Sequence, residues 1–149
     1  MGALGIAGVL IVLSCVLHYE AMRLISIWLP SSKAALRLRV LLVVFGCLLA
    51  HGLEIALYGG AYLGIEWEGW GALEGRLEGH VVDHMYFSAA SYSTLGFGDI
   101  WPTGMMRMVS SLEAVNGLFL IAWSTTFTYL AMERLWPLHS RVDDGNGDA

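Results

Sequence analysis

Apolar positions along the chain are gathered into three long stretches. Residues 1–19 carry no formally charged side chain, residues 40–65 carry only Glu54, and residues 108–132 carry only Glu113. A hydrocarbon core about 30 Å thick is crossed by about 20 helical residues. Each stretch therefore predicts a spanning helix, at residues 3–27, 37–59 and 106–132. Pro30 with Ser31 and Ser32 ends the first; Arg37 and Arg39 open the second, and Gly59 and Gly60 close it. Residues 60–83 form a loop rich in Gly, Trp and Glu. Residues 84–93 are apolar to semi-polar but too short to span, and Asp83 stands where an N-cap belongs. A short apolar helix between two spans predicts a re-entrant segment. Irregular backbone beyond it is tolerated at membrane depth only where it is buried in protein or lines water. The expected fold is an all-α membrane protein with three transmembrane helices and a re-entrant helix between the second and third.

Composition agrees with this pattern. The 149 residues are 56% hydrophobic with a formal net charge of −5, and the mean hydropathy is +0.61. No polar stretch is long enough for a core of its own, and residues 137–149 read as a disordered acidic tail. Arg23, Lys33, Arg37 and Arg39 surround the first loop, and Arg134 and Arg141 follow the third span. Positive side chains favour the cytoplasmic face, so the expected topology has the N-terminus outside and the C-terminus inside. The 60–83 loop then faces out, with Glu66, Glu68, Glu74, Glu78 and Asp83. It is either a solvated loop or an acidic vestibule that concentrates cations. The first span lacks a basic n-region and a clear cleavage site, so it is read as uncleaved. Cys15 and Cys47 fall inside spans and behave there as small apolar residues. Regularly spaced arginines, the mark of a voltage sensor, are absent from the sequence. Nucleic acid is not an expected partner, and the small size points to a prokaryotic plasma membrane.

Residues 93–99 read Ser-Thr-Leu-Gly-Phe-Gly-Asp. A ring of backbone carbonyls can replace the hydration shell of a desolvated ion. Successive carbonyls point the same way only if alternate residues adopt unusual dihedrals, which Gly96 and Gly98 reach without penalty. Thr94 adds a hydroxyl, while Leu95 and Phe97 are expected to pack behind the strand. The short helix before it directs its negative end toward the same place.

Residues 84–132 resemble the pore module of the potassium-channel superfamily, whose signature is Thr-Val-Gly-Tyr-Gly. With the second span as outer helix, the resemblance covers residues 37–132 and leaves out the first span. It implies an additional helix at 1–30 and a pore domain at 31–136. The pore domain divides into outer helix 37–59, outer loop 60–83, pore helix 84–93, filter 94–98 and inner helix 106–132. It further implies a K⁺-selective homotetramer in a lipid bilayer. Thr94, Leu95, Gly96, Phe97 and Gly98 then coordinate K⁺, Asp99 supports the filter, and no cofactor is needed beyond permeant K⁺. Leu95 stands where Val is usual, and Phe97 replaces a Tyr hydroxyl that could tether the filter. The alternative is a non-selective cation channel or a non-conducting subunit of the same fold.

Several polar residues are further candidates. Gly117 reads as a gating hinge or a close-packing site. Asn116 lines the cavity or bonds to a neighbouring helix. Glu113 is expected to bond the pore helix through Ser91, Ser93 or Tyr92, with gating or ion binding as the alternative. His51 and Glu54 share a helix face and read as a satisfied pair, or else as a proton-sensing gate. His18 and Glu20 are expected at the interface, and His80 with His84 is a weak metal pair. Gly96-Phe97-Gly98-Asp99 also fits the Gly-x-Gly-Asp of intramembrane aspartyl proteases. That chemistry needs a second intramembrane aspartate, which the sequence does not supply, and the chain is not expected to be an enzyme.

Overall fold

In a computed structural model, residues 2–31 and 35–135 are described. The acidic tail and Lys33 lie outside the described residues. The element order is α1 (Gly2–Ser31), α2 (Leu36–Trp67), β1 (Leu73–Gly75), α3 (His80–Tyr92), β2 (Ile100–Pro102) and α4 (Met106–Leu135). Three of these helices are long and apolar enough to cross a membrane: Gly2–Trp28, Arg37–Trp67 and Met106–Arg134. The re-entrant α3 packs against α2 and α4, and α1 packs against the same two helices. The protein is a multi-pass membrane protein of the expected class, with two three-residue strands as its only sheet among the described residues.

Burial divides the interior into two apolar halves. One holds Ala7, Leu10, Tyr58, Tyr62, Ile65, Phe87, Met106 and Val109. The other holds Met22, Val43, Cys47, Ala50 and Ala131. Between them in chain position lies a polar layer of buried Ser14, His18, Glu54, Asn116 and Ser124, with Glu113 just above it. Large apolar side chains such as Val12, Phe45, Leu49 and Phe119 remain exposed on the outer faces. This is the arrangement that lipid, rather than water, accepts.

The second span is longer than its glycines suggested. Gly59 and Gly60 do not end it; α2 continues to Trp67. At about 1.5 Å per residue it measures about 48 Å, so it tilts or projects beyond the hydrocarbon. Gly59 is buried where α3 crosses, and a Cβ there would lie 2.7 Å from Met85 Sδ. It is an approach site for α3, not a terminator.

The re-entrant helix also begins earlier than expected, at His80, with Gly79 as N-cap. Asp83 is therefore not the cap. It sits in the first turn and reaches back to accept from the backbone N–H of Glu78 (3.0 Å) and of Gly79 (2.9 Å), which satisfies donors at the helix start.

Candidate functional site

Buried positions on α3 include Asp83, His84, Phe87, Ser88, Ala90 and Tyr92. Their spacing of three and four makes one face, wedged between α2 and α4. The helix ends in a Schellman motif. Leu95 N–H donates to Ala90 C=O (2.9 Å) and Thr94 N–H to Ser91 C=O (2.9 Å), with Thr94 in the left-handed region at φ 59°. Glycine normally holds that place. A β-branched residue there is strained, and strain of this kind concentrates at functional segments. The helix C-terminus carries partial negative charge where the irregular strand begins.

Left-handed dihedrals recur at alternate positions: Thr94 at 59°, Gly96 at 52° and Gly98 at 78°. The alternation expected for the two glycines thus extends two residues earlier, to Thr94. Every residue from 93 to 99 is exposed on the single chain. Phe97 lies over Tyr86 of α3 in a parallel stack, centroids 6.2 Å apart and planes 6° apart. Leu95 is 60% exposed.

Asp99 anchors the C-terminal end of this strand. Its carboxylate accepts from Tyr86 Oη (3.0 and 3.1 Å) and from the Ile100 N–H (3.1 Å). Partial desolvation, then the neighbouring carboxylate, push the Tyr86 phenol up from its usual range, so it remains a donor. Arg76 N–H donates to the Asp99 carbonyl (3.0 Å). Beyond it, β1 and β2 pair antiparallel, Leu73 opposite Pro102 and Gly75 opposite Ile100. Thr103 continues the clamp: its N–H (2.8 Å) and hydroxyl (3.0 Å) both donate to Ala72 C=O. The exit of the strand is thereby fastened to the loop after α2.

Behind the strand, Glu113 of α4 is buried and accepts from Ser88 Oγ (2.6 Å) and from the Tyr62 hydroxyl. The bond to α3 exists, but through Ser88 instead of Ser91, Ser93 or Tyr92. The register explains the difference. Helices α3 and α4 run in the same sense, so Ser88 meets Glu113 and Tyr92, one turn on, meets Gly117. A Cβ on Gly117 would lie 2.3 Å from Tyr92 C=O, which makes it a close-packing site. Asn116 bonds to neighbouring helices, donating to Ser14 Oγ (2.7 Å) and Tyr58 Oη (3.2 Å).

His51 and Glu54 do pair (3.1 Å), and the pair belongs to a larger cluster. Glu54 also bonds His18 Nδ1 (2.8 Å) and accepts from the Tyr92 hydroxyl. His51 Nδ1 lies 2.8 Å from Tyr92 Oη, and His18 Nε2 lies 3.3 Å from Ser124 Oγ. His18 is thus not interfacial but fully buried, because α1 runs on to Ser31 and places it well inside the span. Glu20 is half-buried and pairs with Arg23. One signal could have found His18: it is a histidine at mid-span, matched by Glu54 in the middle of the next. His84 Nε2 lies 2.7 Å from Glu66; the side chain of His80 lies outside the described residues.

A family model described as an ion channel matches residues 41–134, from the first turns of α2 to the last of α4, more than half the chain. No curated protein and no solved structure matches it.

Proposed function

This chain belongs to the ion-channel family, within the potassium-channel pore superfamily, and from that premise we propose that it is a K⁺-selective channel with Thr94, Leu95, Gly96, Phe97 and Gly98 as its filter. The observation that carries the proposal is the exposed strand after α3 with left-handed dihedrals at alternate residues 94, 96 and 98. Such a backbone can turn successive carbonyls to one side. A single strand cannot enclose an ion, so four copies surround one axis, each contributing a strand. The pore-helix C-terminus directs negative potential to the inner end of the filter. Exposed Glu68, Glu74 and Glu78 lie on the outer loop and raise cation concentration at the mouth.

The lost hydroxyl at Phe97 has a substitute in this reading. Tyr86 reaches Asp99 from the pore helix while its ring backs Phe97, so the strand is tethered from behind at its outer end. Charge placement supports a cytoplasmic side for the C-terminal end of α1 and the start of α2, and an outward α2–α4 connection.

The test is ion flux from liposomes holding the purified protein, loaded with K⁺ or Na⁺. K⁺ flux well above Na⁺ flux, abolished by Gly96→Ala, is the expected result. Equal flux of both ions would replace the reading with a non-selective pore. Absence of flux from an intact tetramer under varied pH, lipid and tension would point to a non-conducting subunit.

A further inference from the structure

Nothing in the conduction pathway requires His18, His51 and Glu54 to converge. Their nearest donor atoms all lie within 4.8 Å of one another. They come from two helices and meet in the polar layer, with His18 and Glu54 fully buried and the His51 side chain 14% exposed. An ionisable side chain at this depth is costly and marks a candidate functional site. Two imidazole nitrogens and one carboxylate oxygen are the donor set of an open tetrahedral site for a borderline divalent cation. Tyr92 Oη lies in reach of both His51 and Glu54.

We propose that His18, His51 and Glu54 form an intramembrane binding site for a first-row divalent transition cation of the Zn²⁺ class. The remaining nitrogen of His18 faces Ser124 Oγ at 3.3 Å, the kind of outer partner that fixes a ligating imidazole's tautomer. With one carboxylate the set is poor for Ca²⁺ or Mg²⁺, and without thiolate it is poor for Cu⁺. His51 and Tyr92 also line a mainly apolar groove between α2 and α4, with Cys47, Leu48, Ile121 and Ser124. The ion takes the place of the protons now shared among the ligands, and these leave to solvent. Tyr92 lies two residues before Thr94, so occupancy acts on the side chain at the base of the strand. The site itself stands whether or not the protein conducts.

The experiment is equilibrium dialysis of the full chain in detergent against Co²⁺, with elemental analysis, visible spectroscopy and calorimetry in buffers of different ionisation enthalpy. Expected are one Co²⁺ per chain, an intense low-coordinate visible band displaced by Zn²⁺, and proton release on binding. His18→Gln and His51→Gln each weaken binding at least ~10-fold, whereas His84→Gln, in the remote pair with Glu66, leaves it unchanged. Thermal unfolding of the unmodified protein provides a readout free of mutants, since bound ion raises the transition temperature. Absence of Co²⁺ binding and of any Zn²⁺-dependent thermal shift overturns the site. Binding that survives both histidine substitutions overturns the assignment of ligands.

Discussion

At Gly117 the missing side chain is what matters. A Cβ would stand 2.3 Å from the carbonyl oxygen and 2.9 Å from Cγ of Tyr92, and a backbone carbonyl cannot swing aside as a flexible side chain does. Gly117→Ala is expected to cost about 1–3 kcal/mol and to displace the base of the strand. Thermal unfolding in detergent and K⁺ flux should both fall. Glu113 shows the complementary case, a buried carboxylate kept in place by donors. Gln in its place offers one acceptor oxygen where Ser88 and Tyr62 both donate. Glu113→Gln is expected to lower stability by about 1 kcal/mol, typical of interhelical hydrogen bonds in membranes; an unchanged melting temperature would contradict this account. Tyr86→Phe removes the donor to Asp99 and keeps the ring over Phe97. It is expected to leave K⁺ flux present while lowering K⁺ over Na⁺ preference a few-fold, read from reversal potentials. Residues 93–99 were legible in the sequence because the conformational demand is local: Gly at 96 and 98, with Asp at 99. Thr94 was not recognised as left-handed, because its dihedral is set by a helix-ending motif and not by its own preference. Ser88 escaped notice because only the register between α3 and α4 distinguishes it from Ser91 and Ser93.

Among the elements, α1 was the one that sequence pattern left without a role. Its polar residues supply one. Ser14 accepts from Asn116, and His18 bonds Glu54 and Ser124. The first helix is therefore fixed to both helices of the pore unit at mid-depth. Asn116→Leu replaces the amide with a larger apolar side chain and breaks the bonds to Ser14 and Tyr58. It is expected to loosen α1, measured as faster exchange or higher spin-label mobility on that helix. The three spans were legible because uninterrupted apolar length is a strong signal. Element ends were less so. Gly59 and Gly60 look like a stop in water-soluble sequence, yet membrane helices tolerate glycine where another helix approaches. The β1–β2 ladder was invisible because three residues carry no measurable alternation.

At the scale of the whole molecule, the filter reading requires assembly. Solubilised protein is expected to have the mass of four chains, with Gly96→Ala unchanged in mass because it alters the strand rather than the interfaces of the spans; native mass spectrometry checks both. The overall class was legible because apolar runs and charge placement are additive along the chain. The polar layer was only half legible, because it pairs residues as far apart as Ser14 and Asn116, 102 positions along the chain. That layer also has a direction in time. A charged group entering the bilayer centre alone costs on the order of 2.5–3.5 kcal/mol. Glu54 follows His18, Glu113 follows Tyr62 and Ser88, and Asn116 follows Ser14 and Tyr58. As the chain leaves the ribosome from its N-terminus, Glu54, Glu113 and Asn116 thus each arrive after a partner that can receive them. Ser14 and His18 of the first helix are thus in place before the Asn116 and Glu54 that bond them are made.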